Sequence, residues 1–293
     1  MSAIGVKLSM LQVRTMQAAD LPFADSLRAL VGWNQTLADW QRFLAMEPQG
    51  CFVAEWDGAP VGTATTVVYG PDLAWIGMVL VHPEYRRRGI GGGLLLRCIE
   101  HLQGLGVRCI KLDATPQGRP VYEKLGFRDE WTLRRWEAEL SAQAPRAPDP
   151  RIRAWVEEDA LRFDLLDSGA FGVSRRELII ALARQSSCAL ACESQAGTPA
   201  GYGMLRQGAR AHYLGPISAT SAETGIALIE ALTAQERPGR VFWDIPDPNV
   251  EAVDWAELHG FRMQRTLTRM WLGDNSRPRN PREQFALAGP EVG

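Results

Sequence analysis

Apolar positions along the first half of the chain follow two periods. Phe23, Leu27, Leu30 and Val31 share one helical face behind Asp20, the expected N-cap, with Pro22 in the first turn. Leu37, Trp40 and Leu44 repeat that spacing behind Thr36 and Asp39, a capping-box pair. A third helix is predicted over Gly91–Leu105, with Leu95, Ile99 and Leu102 on one face, and a short fourth over Arg119–Leu125, ended by Gly126. The intervening segments are strands. Leu11–Met16 comes first. Cys51–Trp56 and Val61–Tyr69 meet at Asp57-Gly58, a dipeptide suited to a turn with positive φ. Trp75–Val81 is apolar throughout, as in a strand covered on both faces. Val107–Asp113 and Trp131–Leu140 complete the set. The predicted order is βααβββαβαβ, an α/β (α+β) domain with a mixed sheet rather than a doubly wound one.

The pattern is then written a second time. Arg14 and Asp20 recur as Arg153 and Asp159, 139 positions on, and Gly58-Ala-Pro-Val-Gly62 recurs at the same offset as Gly197-Thr-Pro-Ala-Gly201. Gly126-Phe127-Arg128 with Thr132-Leu133-x-Arg135 returns 134 positions on as Gly260-Phe261-Arg262 with Thr266-Leu267-x-Arg269. Ser141–Pro150 holds three prolines and no periodicity, as a linker would. The expected organisation is two similar domains, 1–140 and 151–272, followed by an irregular tail, 273–293.

Composition narrows the setting. The chain has 293 residues, with 32 basic against 34 acidic side chains, so it lacks the basic excess of a nucleic-acid binder. Its apolar runs are about half of the roughly 20 residues a membrane helix needs. Met1–Val13 carries one lysine and no signal-peptide core. The five cysteines (51, 98, 109, 188 and 192) have no metal-ligand spacing and are expected to be reduced. A cytoplasmic protein without metal, membrane or nucleic-acid partners is the expectation.

Candidate chemistry lies in Val79-Leu-Val-His-Pro-Glu-Tyr-Arg-Arg-Arg-Gly-Ile-Gly-Gly-Gly93. A buried strand ends, Pro83 turns the chain, and a glycine-rich loop opens a helix, whose first amides and partial positive charge suit a pyrophosphate. Gly89 and Gly91 permit close backbone approach, and Arg86, Arg87 and Arg88 supply charged donors. A Walker loop would need Gly-Lys-Ser/Thr, and a dinucleotide fingerprint would need glycine where Leu94 stands.

Arg86-x-x-Gly89-x-Gly91 after this strand resembles the acyl-CoA loop of the GNAT acetyltransferase superfamily, and Tyr122-x-x-x-Gly126-Phe127 resembles that family's second hallmark. The resemblance covers residues 11–140. It implies acetyl transfer from acetyl-CoA to an amine in a ternary complex. Val79, Leu80 and Val81 would pair with the pantetheine arm. Arg86, Arg87, Arg88, Gly89, Ile90, Gly91 and Gly92 would hold the pyrophosphate, and Tyr122 would protonate the leaving thiolate. The first reading of the acceptor is a small-molecule amine; a protein N-terminus or lysine is the alternative, as is a non-enzymatic CoA sensor. The base is open: the strand before the loop has no carboxylate. Asp72, Glu55 and Asp113 are the nearest candidates, each weighed as structural, and Asp113-Ala-Thr-Pro-Gln-Gly118 lacks the asparagine common in the family. His82 is expected in a turn and His101 on an exposed helix face.

At the 134-residue offset Arg86 becomes Thr220, Gly89 becomes Glu223 and Tyr122 becomes Ala256. The second copy thus resembles a GNAT domain whose CoA site has decayed, as in bacterial two-domain members. It is expected to wall the acceptor pocket or to act as a structural or homodimer surface. Ser174 and Glu177 form a second expected capping box, and Asp244 is expected to be a solvated or capping carboxylate.

Overall fold

The computed structural model describes residues 11–140, 149–234, 239–276 and 279–293. Residues 141–148 of the expected linker therefore lie outside the described residues. The chain divides into two compact units, 1–68 with 76–106, and 69–75 with 107–293.

The first unit contains β1 (Leu11–Thr15), α1 (Leu21–Leu30), α2 (Leu37–Met46), β2 (Cys51–Trp56), β3 (Ala59–Val68), most of β4 (Ala74–Val81) and α3 (Ile90–Gly104). Its strands lie in the order β1-β2-β3-β4. The Asp57-Gly58 turn has φ of 51° and 81°, as its hairpin requires. Thr36 and Asp39 form the capping box on α2. Gly62 marks a close approach of helix to sheet: a Cβ there would stand 2.9 Å from the Leu80 carbonyl oxygen and 3.1 Å from Leu94. Asp20 precedes α1 but does not cap it. Its carboxylate turns back to the Gln17 amide and takes both arms of the Arg14 guanidinium at 2.7 and 2.8 Å, a stronger claim than a helix amide makes.

The second unit begins with residues 69–75 and continues through β5 (Cys109–Ala114), α4 (Arg119–Lys124), β6 (Arg128–Leu140), β7 (Ile152–Ala154), α5 (Asp159–Arg162), α6 (Asp164–Phe171), α7 (Arg176–Gln185), β8 (Ser186–Glu193), β9 (Pro199–Arg206), β10 (His212–Ala219), α8 (Ala222–Thr233), β11 (Gly239–Pro246), α9 (Val250–Leu258), β12 (Arg262–Gly273) and β13 (Gln284–Ala286). The repeated sequence anchors are repeated structures. Arg153 grips Asp159 with two bonds of 2.7 Å, and the Val156 amide donates to the same carboxylate, as Gln17 does to Asp20. Gly201 copies Gly62, its Cβ position 2.9 Å from both the Ser218 carbonyl oxygen and the Thr224 side chain. Ser174 forms no capping box; its hydroxyl donates to Asp164 instead.

The copies exchange their last strands. β12, from the second, pairs with β5 of the first, and β6, from the first, pairs with β11 of the second. β6 and β12 also pair with each other, antiparallel, with the equivalent residues Leu133 and Leu267 directly opposed, as a local two-fold axis demands. Two reciprocal ion pairs lock this exchange. Arg269 faces Asp113 across the β12–β5 ladder and binds it bidentately at 2.9 and 2.9 Å, its guanidinium lying between the rings of Trp75 and Trp131. Arg135 faces Asp244 across the β6–β11 ladder and binds it through both Nε and Nη2. All four side chains are buried. Asp244 is thus neither solvated nor a cap. The exchange also explains why β5, α4 and β6, written in the first copy, fold into the second unit.

The tail differs from the irregular segment expected over 273–293. It holds a 3-10 turn, Pro281–Glu283, and the strand β13, and Phe285, Ala286, Leu287, Ala288 and Val292 are all buried. A three-residue strand between prolines and glycines shows no period in the sequence.

Removing one partner from a buried, fully bonded ion pair leaves an uncompensated charge. Asp244→Asn is expected to cost about 3–5 kcal/mol in urea unfolding. Arg119→Leu, at the exposed Arg119–Asp129 pair, is expected to cost about 1 kcal/mol or less. Equal losses would remove the exchanged pairs from their special role. The Arg14 guanidinium holds the Asp20 carboxyl below the usual carboxylate range. The stability this adds is present above the unfolded carboxylate pKa, near 4, and is lost as pH falls through the lower folded value. Arg14→Leu should flatten that part of the acid limb, as followed by thermal unfolding at pH 2 to 5; an unaltered limb would contradict it.

Candidate active site

The loop forms inside the first unit. β4 carries a kink before its end: buried Met78 sits at φ 50°, a conformation costly for a residue with a Cβ, and its carbonyl accepts the Thr63 hydroxyl at 3.0 Å. Val79, Leu80 and Val81 follow, with Leu80 buried and the two valines half-buried. His82 leads into a 3-10 turn, Pro83–Tyr85, and its ring meets the edge of Tyr85.

Arg87 and Gly89 then take left-handed conformations, with φ of 62° and 80°. Gly89 is the N-cap of α3, and its position has no side chain to satisfy the helix's first amides. The first backbone bond of the helix is Gly93 to Gly89, so the amides of Ile90, Gly91 and Gly92 precede the ladder and face the loop opening. Nothing lies within 4 Å of a Cβ position on Gly89 or Gly92, and only a Val81 methyl, at 3.7 Å, does so at Gly91. The buried side chains of Ile90 and Leu94 fix this helix end on the sheet. Arg86, Arg87 and Arg88 are exposed. Arg86 is steadied by the Val81 carbonyl at 3.2 Å, and Arg88 lies over the rings of Trp56 and Tyr85. A left-handed turn, uncapped amides and a cluster of guanidinium groups are the parts from which an anion cradle could be built.

Tyr122 belongs to the second unit. It is half-buried on α4, its ring edge-on to Phe127 at 6.1 Å and close against Gly118, where a Cβ would meet the ring at 2.9 Å. The Phe127 amide returns to the Tyr122 carbonyl at 3.1 Å, and this turn needs the positive φ of Gly126. The carboxylate candidates are all engaged. Glu55 binds Arg14 at 2.7 Å, Asp72 binds Arg108, and Asp113 binds Arg269. Burial pushes the Asp113 carboxyl upward against that arginine. His101 is not on an exposed face: its side chain packs on Phe52 and lies 3.4 Å from Glu47.

The second copy builds the same helix differently. The buried positions of α8 match those of α3 at an offset of 134: Thr224, Leu228, Ile229 and Leu232 stand for Ile90, Leu94, Leu95 and Cys98. Yet α8 starts two residues earlier by that register, at Ala222. The left-handed turn is replaced by helix, and Ser221 caps it by accepting from the Thr224 amide at 3.2 Å. Glu223 stands where Gly89 would and pairs with Arg151. Ala256, fully buried, takes the place of Tyr122, and the Phe261 amide bonds to its carbonyl as Phe127 does to Tyr122.

Among the described residues no group of three or more His, Cys, Asp or Glu side chains is gathered to hold a metal, and no helix is long and apolar enough to cross a membrane. The five cysteines are free thiols, and burial raises each of them, Cys51 to about 12.

Two family models match the chain: "Acetyltransferase (GNAT) family" over residues 16–127, and "Acetyltransferase (GNAT) domain" over residues 164–286. The uncharacterized N-acetyltransferase YitH of Bacillus subtilis is 30% identical over 190 residues, covering 64% of this chain and 66% of that protein. Holothin acyltransferase of a Pseudoalteromonas species is 28% identical over 134 residues, 45% of this chain and 44% of that one. The chain thus spans less than two thirds of either relative. A solved structure of a putative acetyltransferase from Pyrococcus horikoshii superposes with a TM-score of 0.82 at 23% identity, covering 97% of this chain and 96% of that one.

The loop geometry predicts unequal costs of added methyl groups. Gly89→Ala must hold alanine at φ 80° and should lose about 1 kcal/mol of stability. Gly91→Ala lies in helix with space for its methyl and should be neutral or stabilising by up to about 1 kcal/mol. Thermal unfolding of the two variants checks this; a neutral Gly89→Ala would contradict the strained-turn account.

Proposed function

We propose, from the premise that the chain belongs to the GNAT acetyltransferase family as a tandem of two such domains, that it is an acetyl-CoA-dependent N-acetyltransferase working from the first copy. The observation that carries this reading is the contrast at the two helix starts: a left-handed, side-chain-free turn with three arginines in one copy, a self-capped helix with a glutamate in the other.

Bound acetyl-CoA would supply an activated thioester. The amides of Ile90, Gly91 and Gly92 would hold its pyrophosphate, with Arg86, Arg87 and Arg88 neutralising charge. The main chain of Val79, Leu80 and Val81 would bond the amides of its pantetheine arm. The acceptor amine, uncharged, attacks the thioester carbonyl; a C–N bond forms, the C–S bond breaks, and Tyr122 hands a proton to the departing thiolate. With Glu55, Asp72 and Asp113 committed to arginines, the amine's own proton leaves to water, and water returns a proton to the Tyr122 phenolate. The acceptor put forward is a small-molecule amine, in line with a relative named for acylating holothin.

Gly89→Glu, which installs the second copy's residue, should abolish acetyl-CoA binding in calorimetry; retained affinity would contradict the loop's role. Tyr122→Phe should lower kcat by about 10²–10⁴-fold while sparing acetyl-CoA affinity. An unaltered kcat would remove Tyr122 from the acid role. Across amines of different pKa, kcat/KM should rise with pH along an inflection that tracks the amine. A fixed inflection shared by all of them would point to a base in the protein.

A further inference from the structure

In the second copy, β10 pairs with β11 from His212 to Leu214, and the ladder then stops. Gly215 takes φ 142° before a cis peptide bond to Pro216, and beyond it the edge of β10, at Ile217 and Ser218, pairs with β13 instead. On the side of β11 the Leu287 amide donates to the Asp244 carbonyl at 3.0 Å. Residues 284–288 therefore lie in a slot opened between two parallel strands.

The slot holds this segment by its main chain. Asn249 donates to the carbonyls of Arg282 and Gln284, Trp243 to that of Phe285 and Arg206 to that of Ala288; the Tyr213 hydroxyl donates to Asp244 at 2.9 Å and lies 3.3 Å from the Leu287 carbonyl. Asn249, Trp243 and Arg206 are buried side chains aimed at carbonyl oxygens, whichever residue carries the oxygen. The same treatment continues outward, with Trp75 donating to Pro290 and Arg175 to Gly293. Its side chains are held too: Gln284 donates to the Ala170 carbonyl at 2.9 Å, Leu287 packs with Leu133 and Leu267, and Phe285 is read most specifically. A Cβ on Gly225 would stand 2.5 Å from the Phe285 ring, so the ring fills a notch that only glycine leaves open. Gly225 is the counterpart of Gly91, where the nearest atom to the same position is a Val81 methyl at 3.7 Å.

We propose that the space between β10 and the end of β11 is a binding site for an extended amide chain, and that residues 284–288 are its resident ligand, supplied in cis. Beside its buried side chains, this segment is gripped carbonyl by carbonyl, as a bound peptide is. One consequence rests on the reading of the first copy as the acyl-donor site: the second copy's corresponding edge is already occupied, so loss of its phosphate turn is not all that closes it. The site itself stands independently of that reading.

The test uses no thioester. A specific protease sequence is inserted between Ser276 and Arg279, the full chain is folded and then cut, and a fluorescent peptide of residues 280–293 is added. The cut chain should remain folded, retain the fragment through gel filtration, and exchange it for the labelled peptide in urea just below the unfolding midpoint. The peptide with Phe285→Ala should compete at least about a hundredfold more weakly, since it leaves the notch empty. Three results would overturn the proposal. One is loss of the fragment with a collapsed near-ultraviolet spectrum that added peptide does not restore. Another is an absence of exchange in urea. The third is equal competition by the Phe285→Ala peptide. Hydrogen exchange on the uncut chain gives a second readout: the Ala286 and Leu287 amides should open ahead of those in β11, and opening only with global unfolding would count against a ligand.

Discussion

Two buried arginine–aspartate pairs hold the architecture together. Arg269 with Asp113 and Arg135 with Asp244 each join the last strand of one sequence copy to the preceding strand of the other. A buried guanidinium or carboxylate is costly unless its partner is in place, so each copy's aspartate is satisfied only when the other's last strand has arrived. The stacking of Arg269 between two indoles and the opposition of Leu133 to Leu267 add packing to the same joint. This reciprocity makes the exchanged arrangement self-consistent: moving one strand home would orphan charges at both ladders.

On that shared framework the copies diverged at the helix start. The close approach at Gly62 and Gly201, the Arg14–Asp20 and Arg153–Asp159 forks, and the Gly-Phe turns are retained in both, because they fix helix and strand positions. The loop before the helix carries no such duty. One copy keeps the left-handed Arg87 and Gly89 and leaves helix amides for an anion; the other spends the same residues on two more positions of helix and a serine cap. Helix dipole and uncapped donors favour an anion in the first case, while the glutamate and satisfied cap disfavour it in the second.

Much of this was legible in the residues. Period and turn chemistry located the elements of the first copy to within a few positions, since the Asp57-Gly58 turn, the Thr36–Asp39 box and the apolar β4 each have a local cause. The turn before α3 was legible because glycine at position 89, between a buried strand and a helix, takes positive φ at no steric cost. Partnerships were not legible. Alternation announces that 131–140 is a strand but carries no information on whether β5 or β11 lies beside it. For the same reason Asp244 looked like a surface carboxylate, although its partner stands 109 positions earlier. Asp20 and Ser174 do not cap because the Arg14 guanidinium, in one case, and the Asp164 carboxylate, in the other, outcompete the helix amide. β13 was invisible because its stability comes from the slot around it, not from its own three residues.

One fold is used twice, and the proposed function gives the acyl donor to one copy and leaves the other closed. A crystal structure of the full chain grown with acetyl-CoA tests it most directly. The account predicts one molecule per chain, its pyrophosphate at the amides of Ile90–Gly92 and its arm along Val79–Val81, with residues 284–288 still seated beside β10. Density for the donor beside β10, or its absence from the Arg86–Gly92 loop at saturating concentration, would contradict it.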